Sequence, residues 1–315
     1  MRVKNRNQDM ELFSDPYLEQ AIGGTPLVQL KKLPSSSSGQ VWVKVESGNP
    51  TGSYKDRMAY GVVKNAFARG DLKPGDRMVE YTGGSTGTAL AHVAARCGIK
   101  FIAVSSDAFA QSKLDAMRAY GAEVIVLPSE EQKITPELIA AMKQRAYEIA
   151  EEPNTFYADQ FGSPDVIEGY VPVGQEIADQ IGADIDVFCA AVGTGGAFTG
   201  TTKGLNHTGK KPDLIALEPL QSPFLTTGQG GAHRIEGIGL GFAPPFLNLD
   251  RCNEIRAINE NEAFRMCKKL AVEEGIFCGP STGLNVTAAL EIASERGPDS
   301  VTVTLGCDHG SKYNY

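Results

Sequence analysis

The chain has no surplus of positive charge. Its 30 Lys and Arg stand against 38 Asp and Glu, a formal net charge of −8 over 315 residues. Nucleic acid and anionic membranes both call for a basic face, so this balance argues against them as partners. Nor does any apolar run reach the roughly 18 residues that a membrane span requires. The polar start, MRVKNRNQDMELFSDPYLEQ, lacks the apolar stretch of a secretory signal, and the expected location is the cytoplasm. Six cysteines (Cys97, Cys189, Cys252, Cys267, Cys278 and Cys307) form no CxxC pair and have no metal-type spacing to the four histidines. Free thiols in a reducing compartment, without disulfide or metal site, are the reading.

What is present is a core. Hydrophobic residues make up 42% of the chain and charged residues 22%. Val-, Ile- and Ala-rich segments over 41–46, 78–81, 101–105, 124–127, 187–192, 214–218 and 301–305 read as strands. Helical patterns occupy 56–69, 112–120, 136–151, 262–274 and 282–295, and two further helices end at Cys97 and Leu205. The strands show little alternation of polar with apolar residues, which marks mostly parallel sheets covered on both faces. The class is α/β. Glu151-Glu152-Pro153-Asn154 is the expected boundary between two halves, and 219–248 reads as one long irregular loop of the kind that carries function.

In such sheets ligands bind at the carboxyl ends of strands, where helix N-termini expose N–H groups. Three small-residue turns stand there: Thr82-Gly83-Gly84-Ser85-Thr86-Gly87, Gly193-Thr194-Gly195-Gly196 and Gly279-Pro280-Ser281-Thr282-Gly283. Taken singly, each is equally an ordinary βα turn. The 193–196 turn is the best phosphate cradle, since it follows the most apolar strand. A P-loop would need lysine where Thr201 stands, and a dinucleotide fingerprint would need glycine where Phe198 stands. Glu218, at the end of the next strand, fits a ribose-binding acid and keeps a nicotinamide-dependent oxidoreductase as a minor alternative. Lys55 ends a glycine-containing loop just before a helix, whose positive end disfavours the ammonium form and favours an amine nucleophile. A solvated surface lysine is the competing reading.

Read together, Gly23-Gly24-Thr25-Pro26-Leu27, Ser53-Tyr54-Lys55-Asp56-Arg57, the 82–87 turn, the 193–196 turn, His233-Arg234-Ile235-Glu236-Gly237-Ile238-Gly239 and the 279–283 turn resemble the cysteine synthases, in the same order. These are pyridoxal-phosphate enzymes of the O-acetylserine sulfhydrylase and cystathionine β-synthase group. The resemblance implies two doubly wound, mostly parallel-sheet domains of the tryptophan synthase β fold (fold type II), with the cofactor cleft between them. It divides the chain into a smaller domain, 48–153, and a larger one, 20–47 plus 154–315.

By this resemblance Lys55 is the Schiff-base lysine and proton carrier. Gly193, Thr194, Gly195 and Gly196 form the phosphate cup, Ser281 meets the pyridine nitrogen and Ser85 lies beside the cofactor. Thr82, Gly83, Ser85, Thr86 and Gln160 match the substrate-carboxylate positions, and Gly237 faces the substrate amine. The implied reaction is β-replacement on a β-substituted L-serine by a thiol or sulfide, through an aminoacrylate, in a homodimer. The closest alternative is a β-eliminating lyase that releases pyruvate and ammonia. A non-catalytic paralogue that binds the cofactor is a third. The chain departs from the family at Ser85, where asparagine is usual, and at Ala197, where the cup usually ends in threonine. A Cβ added at Gly195 is expected to crowd the phosphate and leave the fold intact.

Overall fold

A computed structural model describes residues 15–313, so most of the polar start lies outside the described residues. In chain order the elements are α1 (Pro16–Ala21), β1 (Leu27–Gln29), β2 (Gln40–Val45), α2 (Lys55–Arg69), β3 (Arg77–Tyr81), α3 (Ser85–Cys97), β4 (Lys100–Ser106), α4 (Gln111–Ala119), β5 (Glu123–Leu127), α5 (Pro136–Ala150), β6 (Thr155–Tyr157), α6 (Asp165–Ile181), β7 (Val187–Ala191), α7 (Gly196–His207), β8 (Asp213–Pro219), α8 (Phe224–Thr227), β9 (Glu254–Ile258), α9 (Glu260–Lys269), α10 (Pro280–Arg296) and β10 (Val301–Gly306). By internal packing they form two compact units, 15–22 with 55–169, and 23–54 with 170–313.

The first unit holds a four-stranded, all-parallel sheet in the order β5-β4-β3-β6. Its core on one face joins Val79, Ile102 and Val104 to Leu138, Met142, Ala146 and Ile149 of α5. β4 is buried at every position but its first, as a parallel strand covered on both faces must be. The second unit holds six strands in the order β1-β2-β10-β7-β8-β9, parallel except for β1 at the edge. All six residues of β10 are buried, and the α10 residues Leu284, Ala288, Ile292 and Ala293 belong to the core beside it. In both sheets one strand marks a reversal of order. The chain runs β3, β4, β5 in one direction and then returns with β6 on the other side of β3. It likewise runs β7, β8, β9 and returns with β10 on the other side of β7. Those reversals are where open α/β sheets bind ligands.

The junctions expected at 48 and 153 fall elsewhere. Residues 151–154 are the turn between α5 and β6, with Asn154 left-handed at φ 57. β6 then pairs with β3, placing Thr155 opposite Arg77, which ties residues after 154 to the first sheet. The division comes within α6, between Gly169 and Tyr170, and at the start of α2, between Tyr54 and Lys55. α6 itself is absent from the sequence reading, because Gly169, Pro172 and Gly174 argue against a helix. Packing overrides that preference. A Cβ at Gly169 would lie 2.6 Å from the Arg57 carbonyl oxygen, and one at Gly174 would lie 2.0 Å from that of Thr201, so both glycines admit close helix contacts. The 219–248 segment is irregular apart from the single turn of α8.

Candidate active site

In the first unit the 82–87 turn follows β3 and opens α3. Gly84 sits at the helix cap and offers no side chain to the first-turn N–H groups. The turn is held from within: the Thr82 hydroxyl accepts from the Gly87 N–H at 3.1 Å, and the Thr82 N–H donates to the Val104 carbonyl at 2.9 Å. Glycine is required at two positions. A Cβ at Gly83 would lie 2.1 Å from the Phe109 ring, and one at Gly87 would lie 2.4 Å from Met117 Sδ. Gln160, 74 residues beyond Thr86, joins the turn directly. Thr86 Oγ1 donates to Gln160 Oε1 at 2.9 Å, and Gln160 Nε2 donates to the Tyr81 carbonyl at 3.0 Å. Ser85 is half-buried as the first residue of α3. Thus Thr82, Gly83, Ser85, Thr86 and Gln160 form one cluster around a helix N-terminus. Such a cluster suits an anion, because the turn supplies N–H donors and hydroxyls and the helix dipole adds positive potential.

In the second unit the 193–196 turn follows β7 and opens α7. Gly195 caps the helix at φ 88, again without a side-chain bond, and Gly196 N–H reaches Thr194 Oγ1 at 3.3 Å. Gly237 is brought onto this turn: a Cβ at Gly193 would stand 2.1 Å from the Gly237 carbonyl oxygen. The Gly239 N–H donates to the Val192 carbonyl, and His233 fastens the same segment, with Nε2 3.0 Å from the Gly239 oxygen. The third turn opens α10 from Gly279, also without a side-chain cap. Asn285, one turn along, accepts from Ala191 N–H and donates to the Leu305 carbonyl, which pins α10 to the ends of both β7 and β10. Ser281 is 6% exposed, and its hydroxyl has no hydrogen-bond partner among the described residues.

The gap at Gly195 is filled by the protein itself. A Cβ there would meet Leu247 N at 2.7 Å and Phe246 C at 3.0 Å. The expectation that it would crowd a phosphate and spare the fold is therefore corrected: backbone blocks it first. Glu218 is likewise accounted for. It accepts from the N–H groups of Leu225 and Thr226 and from the Thr226 hydroxyl at 2.6–3.1 Å, capping α8, so its carboxylate is already occupied where a ribose would need it.

Lys55 is the first residue of α2, half-buried, with Asp56 beside it in the first turn. The loop before it is stitched down. Tyr54 N–H donates to the Cys307 carbonyl at 2.9 Å, His309 N–H donates to the Gly52 carbonyl at 2.9 Å, and Ser53 bridges Asp308. Further back, Asn49 donates to the Glu46 carbonyl and carboxylate and accepts from Gly23 N–H, while Thr25 donates to Glu46 at 2.6 Å. The Gly23–Leu27 motif therefore serves to anchor the lysine loop. Glu46, Asn49 and Glu80 are buried polar residues that sequence reasoning missed, since nothing in a strand or loop sequence says where its carboxylate will point. Burial pushes the Glu80 carboxyl up to about 8, against an ordinary 4.5, although the N–H groups of Gln160 and Tyr81 favour its anion. Among the described residues no group of three or more His, Cys, Asp or Glu could hold a metal ion. Burial raises the Cys189 thiol to about 12. No helix among them is long and apolar enough to cross a membrane.

A family model described as pyridoxal-phosphate dependent enzyme matches residues 18–308. The chain belongs to that family. It is 39% identical over 297 residues to a probable cysteine synthase of Bacillus subtilis (strain 168), covering 93% of this chain and 94% of that one. It is 36% identical over 301 residues to a cysteine synthase of Staphylococcus aureus (strain Mu50), covering 94% of both. Among solved structures, O-ureido-L-serine synthase is similar at 36% identity with a TM-score of 0.86, covering 94% of this chain and 92% of that one. This is a pyridoxal-phosphate-dependent enzyme of cysteine-synthase type, with the fold type II sheets, and its chemistry is β-replacement. The residues fit the cofactor. No side chain caps the helix start at Gly195, so its N–H groups can receive a phosphate, and the Ser281 hydroxyl, on a residue only 6% exposed, suits a heteroaromatic nitrogen.

Proposed function

We propose that the enzyme replaces the β-substituent of a β-substituted L-serine, yielding cysteine with sulfide and an S-substituted cysteine with a small thiol, with Lys55 as its catalytic residue. The observation that carries the assignment of roles is topological. The 82–87 turn follows β3 and the 193–196 turn follows β7, and at each of these strands the sheet order reverses. Bound pyridoxal phosphate supplies the electron sink that lets the amino acid lose its α-proton and its β-substituent. Lys55 Nζ would hold the cofactor and, once the substrate amine has displaced it as a free amine, would take and carry the substrate's α-proton. Gly193, Thr194, Gly195 and Gly196 hold the phosphate, and Ser85 lies beside the ring. The Ser281 hydroxyl bonds the ring nitrogen as a neutral group. It does not enforce protonation as a carboxylate would, which suits β-chemistry better than transamination. Thr82, Gly83, Ser85, Thr86 and Gln160 bind the substrate carboxylate, and Gly237 faces its amine. The working form is a cytoplasmic homodimer.

Lys55→Ala tests the centre of this reading. The variant is expected to bind cofactor without a borohydride-reducible linkage and to lose turnover. A reducible linkage surviving in Lys55→Ala would overturn it. A panel of β-substituted serines with sulfide, followed for both cysteine and pyruvate, tests the reaction. Pyruvate as the main product at saturating sulfide would replace the assignment with β-elimination.

A further inference from the structure

Resting on the assignment of Gln160 to the substrate carboxylate, we propose that Glu80 is a positioning residue that holds Gln160 in its binding arrangement. Glu80 is 0% exposed in β3, the strand at which the first sheet reverses. Its Oε2 accepts from the Gln160 N–H at 2.9 Å and its Oε1 from the Tyr81 N–H at 3.0 Å. The side chain of Gln160 is tied to the same place, through Nε2 to the Tyr81 carbonyl and through Oε1 to the Thr86 hydroxyl. Phe161, the next residue, stacks on Tyr81 with centroids 5.6 Å apart and planes 12° apart. Gln160 lies beyond β6, outside regular structure, so the sheet ladder does not fix it. Glu80 reaches across from β3 and supplies the acceptor its backbone would otherwise lack.

A buried carboxyl in a strand flanked by Val79 and Tyr81 is costly for the fold, and an apolar residue would pack there without that cost. The two N–H groups it satisfies are the compensation. Around it stand Asp159, beyond β6, and the phenols of Tyr81 and Tyr157, with Tyr147 of α5 against both phenols. Burial raises the Tyr81 and Tyr157 phenols further, so neither ionises near neutrality. Near neutral pH Glu80 is mainly a neutral acid, so it adds no full negative charge of its own beneath the turn that receives a carboxylate. Ionisation above pH 8 would place one there.

The test is binding of L-alanine, which has no β-substituent to lose, to the cofactor-loaded enzyme between pH 6.5 and 9, read by cofactor absorbance. Glu80→Leu removes both acceptors and is expected to weaken binding about tenfold, while Glu80→Gln keeps one acceptor and loses about fivefold at most. Wild-type binding should weaken further above pH 8 relative to Glu80→Gln, which has nothing to ionise at that position. Gln160→Ala is the reference for the underlying assignment. If Gln160→Ala binds L-alanine weakly while both Glu80 variants bind as wild type and keep the wild-type pH profile, Glu80 does not position Gln160. If Gln160→Ala binds as wild type, the carboxylate assignment itself fails and takes this inference with it. Should Glu80→Leu not fold, the Glu80→Gln profile against wild type decides alone.

Discussion

Gly195→Ala separates two accounts of the 193–196 turn. If glycine is there only to let a phosphate approach, alanine should weaken cofactor binding and leave the cofactor-free protein as stable as before. The structure says otherwise. Gly195 is left-handed at φ 88, and its added Cβ would stand 2.7 Å from Leu247 N, inside any real contact distance. That stretch of backbone cannot simply retreat. Phe246 N–H donates to the Thr194 carbonyl at 3.0 Å, and the Thr199 hydroxyl donates to the Phe246 carbonyl at 2.7 Å. The left-handed conformation costs an alanine about 1–2 kcal/mol, and overpacking against held backbone costs about 1–3 more. A loss of about 2–5 kcal/mol is expected before any cofactor is added. Gly70→Ala is the control, because Gly70 is also left-handed, at φ 79, with nothing within 4 Å of its Cβ position. It should cost the conformational part alone. Chemical unfolding of cofactor-free wild type, Gly195→Ala and Gly70→Ala, with cofactor affinity measured in parallel, gives the comparison. A Gly195→Ala protein no less stable than Gly70→Ala, yet poor in cofactor binding, would refute the argument.

Ser281→Ala should change stability by less than about 0.5 kcal/mol, because the hydroxyl bonds no other described residue, yet alter cofactor absorbance and slow turnover. A stability loss well above that, with an unaltered spectrum, would make Ser281 a packing residue. Glu80 binds a proton on folding between its ordinary 4.5 and about 8, so stability should fall as pH rises through that window, by at most about 1.4 kcal/mol per pH unit. Glu80→Gln should flatten the dependence, and equal slopes for the two proteins in urea unfolding at pH 5, 6.5 and 8 would remove the carboxyl as its cause. Ser85→Asn should raise the ratio of β-replacement to pyruvate formation at fixed sulfide, since an amide at the start of α3 would reach further than the serine hydroxyl and hold the intermediate more firmly. An unchanged ratio in a folded, cofactor-bearing variant places reaction choice elsewhere in the site.

Much of the first sheet was legible because parallel strands are buried on both faces and carry unbroken apolar runs. β3 and β4 were placed within one residue of their ends, and the turn between β3 and α3 showed in its small residues. β1, β6 and β9 were not. β1 and β6 are three residues long, and β9, EIRAI, mixes charges among its apolar positions, so each becomes a strand only by pairing with a neighbour. α6 fails for the opposite reason. Its glycines and proline read as helix breakers, and their use is close packing, which is invisible until the partner helix is in place.

The sequence alone determined the α/β class, the lysine before a helix, the three glycine turns and, through their order, the family. Each of these rests on local chemistry: turn residues, helix starts and unbroken apolar strands are written in consecutive positions. Only tertiary structure decided that Gln160 meets Thr86 across 74 residues, that Gly237 lies on Gly193, that Asn285 ties α10 to two strand ends, and that Glu80 stands behind Gln160. It also decided where the strand order reverses, which is what sets the 82–87 and 193–196 turns apart from ordinary βα turns. The physical reason is the same throughout. A side chain's partner in a parallel sheet protein is chosen by strand order, and strand order follows from which faces bury best together, a property of the whole chain that no single segment carries.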